Sequence, residues 1–303
     1  MRKTCQIVGF DGSDSCIETM AASFYIKAGY DVKVGVRSPT NCDLLVILRG
    51  AIPTDLNLSF YSLVHLYGYA WSLDSAYTNL LDGVIHKVIV PHSSYLPKGY
   101  SDRYGDANVI FSYPPVIPDF WYKKSSENIM HDYVHIGNYK KNQSDDVAAG
   151  FVHNLRENGV TVYGNGWEGI LPSHLLMGPL EMGRVSEVYS SSKAGLGIMY
   201  PYQRKFSFSG RFFQAPLAGV PLFTECLPLL SACPGLHQVD WTKSVHLSSD
   251  FNLISGSHLS DMAYLYWRDM TIALSDKLGV NLLARLFPAS SFTDARKINN
   301  LFI

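Results

Sequence analysis

The residues best suited to chemistry lie in the second half of the chain. Arg211 stands in the run Phe206-Ser-Phe-Ser-Gly-Arg-Phe-Phe-Gln-Ala-Pro-Leu-Ala-Gly-Val-Pro-Leu-Phe-Thr-Glu225. The pattern predicts a helix from Arg211 to Gly219, then an apolar strand from Val220 to Phe223. A cation at the start of a helix is poorly placed against the helix dipole, so an anion is expected beside it. A guanidinium can take two oxygens of a phosphate at once. The competing reading is a solvated or salt-bridged arginine, and the dipole argument favours the anion site.

Other polar residues fall at turns after predicted strands. Lys140 and Lys141 follow Tyr133-Val-His-Ile136 and read either as phosphate contacts or as a solvated basic turn. Asp74 follows Gly68-Tyr-Ala-Trp-Ser-Leu73. It reads either as a general base at a strand's carboxyl edge or as the N-cap of a helix over 76–81. Asp11, Ser13 and Asp14 follow the first strand. Ser13 and Asp14 read as capping residues, and Asp11 as an acceptor contact. Gly9 and Gly12 do not make a GxGxxG fingerprint. Tyr200, Tyr202 and Trp167 are suited to stacking on a base or sugar, or to packing.

Positioning these residues requires a particular set of elements. The first half alternates strand and helix signals. Strands are predicted at Gln6–Phe10, Asp31–Val36, Cys42–Leu48, Gly68–Leu73, Lys87–Val90 and Asn108–Phe111. Helices are predicted at Ile17–Ala28 and Leu56–Leu66. A Pro-rich stretch with Pro114, Pro115 and Pro118, then Lys123-Lys-Ser-Ser-Glu127, reads as a linker. A second unit begins at Tyr133–Ile136, continues with a helix over Val147–Asn158 and a strand at Val160–Tyr163, and ends in a helical stretch over Leu259–Leu286. This order predicts an α/β fold with two Rossmann-type parallel sheets. The expected domains are residues 1–118, a linker over 119–132, residues 133–285, and a tail over 286–303 packing back on the first domain.

Composition narrows the classes. The chain has 303 residues, a formal net charge of −1 and 47% apolar residues. Near-neutral charge removes the simplest argument for a non-specific nucleic-acid binder and leaves a local basic groove open. For such a groove, Arg37, Arg49, Lys98 and Arg103 are candidates, each with a solvated-surface alternative. Five scattered cysteines without a CxxC pair argue against a disulfide framework or zinc site. The histidines show no HExxH spacing, and there is no GxSxG elbow. No apolar run reaches the roughly 18 residues of a membrane span. The N-terminus lacks the apolar core of a signal peptide, so a cytoplasmic location is expected, in the host if the chain is phage-encoded.

Four blocks occur in the order of a known family: Ile136-Gly-Asn-Tyr-Lys140, Val162-Tyr-Gly-Asn165, Gly178-Pro-Leu-Glu-Met182 and Phe208-Ser-Gly-Arg-Phe-Phe-Gln214. With Tyr69-Ala-Trp-Ser-Leu-Asp74 and Asn108-Val-Ile-Phe-Ser-Tyr-Pro-Pro115 they resemble the GT-B glycosyltransferases. The pattern is similar to phage DNA β-glucosyltransferases and more loosely to CgeB-like enzymes. The resemblance implies two Rossmann-like domains facing across a cleft. It implies a nucleoside diphosphate sugar as donor, UDP-linked, and transfer to an acceptor hydroxyl with inversion.

Residue by residue, the resemblance makes Asp74 the general base and Arg211 the grip on the diphosphate. Gly137, Asn138, Lys140, Tyr163, Gly164, Asn165, Pro179, Leu180, Tyr200 and Gln214 join Arg211 as donor contacts. Asp11 and Asp74 are the acceptor contacts. Three positions depart from the pattern: Gln214 stands in place of a ribose-binding acid, Lys140 in place of an arginine, and Ser112 in place of an acid near the sugar. A neutral amide bonds a hydroxyl more weakly than a carboxylate, and lysine offers a point charge in place of a fork. The implied acceptor is a hydroxymethylated pyrimidine of phage DNA, with a cell-surface glycan or small molecule as the rival. A nucleotide-sugar epimerase and an inactive sugar-nucleotide binding module are the other readings. No tightly bound cofactor is expected, and Mg2+ enters only as an activator.

Overall fold

Apolar runs of four or five residues, too short for helices and buried on both faces, set the architecture. In the computed structural model the described residues are 2–8, 16–35, 40–48, 56–68, 80–123, 128–141, 145–204, 209–227, 233–245, 247, 256–280 and 282. The chain divides into two compact units, Met1–Phe120 with Arg268–Ile303, and Trp121–Trp267.

The first unit holds a six-stranded sheet in the order β2-β1-β3-β4-β5-β6. Its strands are β1 (Thr4–Val8), β2 (Asp31–Val34), β3 (Leu44–Ile47), β4 (Val64–Tyr67), β5 (His86–Val90) and β6 (Val109–Phe111), with α1 (Cys16–Lys27) after β1 and α2 (Tyr100–Tyr104) after β5. Every pairing is parallel, as the alternation of strands and helices predicts. The expected helix over Leu56–Leu66 does not form. Asn57 caps a single 3-10 turn at Leu58–Phe60, and Val64-His-Leu-Tyr67 becomes an interior strand buried along its whole length. Burial on both faces erases the alternation by which a strand is recognised, so the apolar run mimics a helix. β4 ends at Tyr67, and residues 69–73 of the strand expected at Gly68–Leu73 lie outside the described residues.

The stretch around Pro114 and Pro118 is packed: Tyr113, Val116, Ile117 and Pro118 are buried, and Thr271 Oγ1 donates to the Val116 carbonyl (2.7 Å) while accepting from its N–H (3.2 Å). Thr271 belongs to α7 (Ser257–Leu278), which passes from the second unit into the first at Arg268 and stops at Gly279, whose φ is +66°.

The second sheet has the order β12-β11-β10-β7-β8-β9 and is also wholly parallel. Its strands are β7 (His131–Ile136), β8 (Thr161–Tyr163), β9 (Leu176–Gly178), β10 (Ser192–Leu196), β11 (Leu222–Thr224) and β12 (Leu236–Gln238), with helices α3 (Asp146–Glu157), α4 (Val185–Ser190), α5 (Pro201–Arg204) and α6 (Arg211–Leu217). Strands β9 (Leu-Met-Gly) and β12 (Leu-His-Gln) are partly exposed edge strands without an apolar run to announce them. The chain winds outward from β7 through β8 to β9, returns to β10 beside β7, and winds outward the other way. The strand order therefore reverses between β7 and β10. In open parallel sheets that switch point opens a crevice at the carboxyl ends of the strands, where ligands bind. Phe151, Leu155, Val162, Trp167, Leu196 and Trp241 fill the core beneath it.

Candidate functional site

Arg211 lies at the switch point. Its Nε donates to the carbonyl of Ile136, the last residue of β7 (2.7 Å), and its Nη1 to the carbonyl of Ile198, just beyond β10 (3.3 Å). Ser209 Oγ is 3.4 Å from both Nη1 and the Arg211 amide. The guanidinium is thus fixed by the two strand ends that flank the reversal. Two glycines make room for it. A Cβ at Gly137 would overlap Nη2, and one at Gly197 would stand 3.4 Å from Cδ. The helix it opens is shorter than the sequence predicts, ending at Leu217 with Pro216 in its last turn. Seven residues make a small dipole, so the cation itself carries the attraction for an anion.

Two carboxylates of this unit are engaged by Arg204. Arg204 binds both oxygens of Asp145, the N-cap of α3, and lies 3.4 Å from Glu225. Glu225 Oε1 also accepts from the Met199 amide at 2.6 Å. Burial pushes the Glu225 carboxyl up, against the Met199 amide and Arg204, while the Arg204 hydrogen bond pulls Asp145 down. Among the described residues no ion pair includes Arg211. A half-buried cation without a counter-carboxylate is electrostatically unfinished, and an anionic ligand completes it.

The loops expected to contact a donor are knitted around this arginine. Gly137 N–H donates to the Tyr163 carbonyl (2.8 Å), Tyr139 N–H to the Asn165 carbonyl (2.9 Å), and Asn165 N–H to Asn138 Oδ1 (2.8 Å). Trp167 Nε1 donates to the Gly137 carbonyl (2.7 Å), and Gly164 N–H to the Gly178 carbonyl (2.8 Å). Gly164 has φ +138°, and a Cβ there would overlap the Gly137 carbonyl. The structure therefore brings the 137–140, 163–167 and 178–180 loops together at the carboxyl ends of β7, β8 and β9. Asn138, Lys140, Asn165 and Pro179 are exposed on this surface, Tyr163 and Leu180 partly so.

Individual side chains are used in ways their types did not announce. Tyr200 is buried, and its hydroxyl donates to the Asn138 carbonyl (2.8 Å) and accepts from the Lys140 amide (2.9 Å). It latches the loop by its phenol. Lys140 Nζ stands over the Tyr200 ring, 5.8 Å from its centroid. Trp167 is likewise core, through its ring and its bond to Gly137. Gln214 is buried one turn along α6 from Arg211. Tyr163 Oη lies 3.2 Å from His131 Nε2. Asp11 and Asp74 lie outside the described residues, as do Arg37 and Arg49. Of the basic-groove candidates, Arg103 is bound to Asp82. Among the described residues no three His, Cys, Asp or Glu side chains cluster to hold a metal.

Sequence reading missed the carbonyls of Ile136 and Ile198, which no side-chain pattern reveals, and it missed the Asp145–Arg204–Glu225 network. It also passed over His135. A histidine between Val134 and Ile136 in a parallel strand, two residues before Gly137, was the available signal.

Residues 146–239, from α3 through β12, match the family described as "Glycosyl transferase-like". That stretch of the second unit is what the chain shares with this family. The fold as a whole is the GT-B fold, shared along nearly the full length of solved glycosyltransferases at low identity. Anabaena Alr3699/HepE, solved with UDP and glucose, superposes with a TM-score of 0.58 at 10% identity, covering 92% of this chain and 100% of that one. AviGT4, a glycosyltransferase involved in avilamycin A biosynthesis, gives 0.55 at 13% identity, covering 94% and 99%. The DNA-modifying enzyme β-glucosyltransferase, studied with and without uridine diphosphoglucose, gives 0.53 at 12% identity, covering 91% and 99%. No curated protein matches the chain by sequence.

Proposed function

We propose that this glycosyltransferase-like chain transfers a sugar from UDP to an acceptor hydroxyl, with Arg211 binding the diphosphate. The observation that carries the reading is the guanidinium held at the switch point of the second sheet by Ile136 and Ile198, with no carboxylate paired to it among the described residues. Similar folds have been solved with UDP and glucose, and with uridine diphosphoglucose.

In this reading the donor's diphosphate lies against Arg211 and the exposed Lys140. The base and ribose lie along the backbone of the 163–165 and 178–180 loops, with Gln214 nearest the ribose. Asp74 takes the acceptor's hydroxyl proton, and the oxygen attacks the anomeric carbon from the face opposite the diphosphate. The bond from that carbon to the diphosphate oxygen breaks, UDP leaves, and configuration inverts. Arg211 and Lys140 stabilise the negative charge that grows on the leaving group, the kind of preorganised electrostatic effect that dominates many enzymatic rates.

The proposed acceptor is a hydroxymethylated pyrimidine in DNA, presented outside the base stack. The DNA-modifying β-glucosyltransferase among the similar folds supports it. AviGT4 keeps a small-molecule acceptor as the second reading. Asp11 is assigned to the acceptor in either case. The test is turnover of UDP-glucose with hydroxymethylated DNA, unmodified DNA and no acceptor. Glucosylated DNA only with the modified substrate, with turnover falling steeply as salt rises, is the expected result. Sugar isomerisation without acceptor would instead identify an epimerase, and donor binding without UDP release under any acceptor an inactive module.

A further inference from the structure

A second feature of the Arg211 pocket, resting on the reading of Arg211 as the diphosphate-binding cation, is the neutrality of everything behind the guanidinium. His135 is fully buried in β7, between Phe151 and Trp167. Its Nδ1 lies 2.9 Å from the Leu196 carbonyl, which can only accept, so the proton sits on Nδ1 and Nε2 presents a lone pair. That Nε2 has no hydrogen-bond partner among the described residues. It lies 3.1 Å from the point where a Gly137 Cβ would stand, the same point that Arg211 Nη2 crowds. The second group is Tyr189, a buried residue of α4 whose hydroxyl likewise has no partner among the described residues, and on which the Arg211 charge also acts. Burial, with Arg211 adding to it, holds the His135 imidazole down at about 3, and burial raises the Tyr189 phenol to about 12. Both therefore stay uncharged near neutral pH. The remaining contacts of the guanidinium are carbonyls and the Ser209 hydroxyl.

We propose that His135 is a positioning residue for donor binding: a neutral ring behind Arg211 whose unpaired Nε2 favours the guanidinium's place electrostatically without cancelling its charge. A carboxylate in this place would make an internal ion pair that competes with the diphosphate. A lysine or a protonated imidazole would repel the arginine. The chain instead puts an imidazole there and fixes its tautomer with the Leu196 carbonyl. The selectivity this produces is for anionic, diphosphate-bearing ligands over uncharged nucleosides.

The test compares UDP with uridine, in the full-length protein. His135→Gln keeps a neutral acceptor, and both affinities should stay within about threefold of wild type. His135→Glu should weaken UDP by at least tenfold and leave uridine within about twofold, a separation that a merely structural role would not produce. UDP affinity unchanged in His135→Glu, or UDP and uridine weakened alike, overturns the proposal. His135→Phe guards against failure of the charged variant to fold, since it keeps an apolar ring of similar size. It should weaken UDP about fivefold when Arg211 is present and not at all in the Arg211→Ala background, so additive losses overturn the proposal. If UDP binding proves indifferent to Arg211→Ala, the donor reading fails by itself. The guanidinium nitrogen resonances of Arg211 in ligand-free protein then decide the role of His135. They should shift in His135→Glu as the ion pair forms, and unshifted resonances overturn it.

Discussion

Gly137 has no side chain because the Arg211 guanidinium occupies the space a Cβ would need. The obstacle is the end of a side chain and not backbone, so Gly137→Ala should fold and push the arginine aside. Displacing a charge-binding group by about 1 Å can cost on the order of a hundredfold in rate. Gly137→Ala should accordingly lower kcat/KM for UDP-sugar by one to two orders of magnitude, with a thermal midpoint near that of wild type. A normal kcat/KM would mean that Arg211 is not the group that meets the donor. Arg211→Lys should recover little, because one ammonium cannot span the Ile136 and Ile198 carbonyls and a phosphate together.

At the scale of elements, the loops after β7, β8 and β9 are joined by backbone hydrogen bonds, and α3 ties down the segment after β12. Asn154 on α3 is buried and donates to the carbonyls of Gly150 (2.9 Å), Trp241 (3.3 Å) and Lys243 (2.9 Å), while its Oδ1 accepts from Val245 N–H (2.8 Å). Asn154→Leu strips the segment after β12 of these partners and should destabilise by about 2–4 kcal/mol, read from chemical denaturation. Gly164→Ala meets both a positive φ and the Gly137 carbonyl. It should cost about 1–3 kcal/mol and loosen the 163–165 loop, raising KM for donor more than it lowers stability. The strands and helices of the second unit were largely legible because Gly159 and Gly219 end helices with positive φ, at the positions where the apolar periodicity stops. Legibility failed at Val64–Tyr67, where burial on both faces removes the alternating pattern. It failed again at Met199–Tyr200, whose structural role lies in amide and hydroxyl bonds that residue types do not encode. Arg211 stood out in the sequence as a cation opening a helix, but its anchors did not, because they are carbonyls.

For the whole molecule, each sheet buries at least one histidine whose pKa burial lowers. His65 in β4 lies 2.7 Å from Tyr25 Oη, which is in turn 2.8 Å from Tyr67 Oη, and His135 occupies β7. Burial lowers both, from an ordinary 6.5 to about 3, with Lys87 adding to the effect at His65 and Arg211 at His135. Between those values the unfolded chain binds protons that the folded chain does not. The sign follows: stability is complete above pH 6.5 and falls as pH drops towards 3, by up to about 1.4 kcal/mol per pH unit for each histidine. Denaturation midpoints measured from pH 7 to pH 4 should fall steadily, and His135→Gln should reduce the slope. A flat profile would contradict the neutral burial of these rings. The central claim, that Arg211 holds the diphosphate of a sugar nucleotide, is tested most directly by calorimetric titration of UDP into wild type and Arg211→Ala. A loss of charge-assisted bonds worth about 3 kcal/mol predicts at least a hundredfold weaker binding in the variant. Equal affinity for UDP in the two proteins would contradict it.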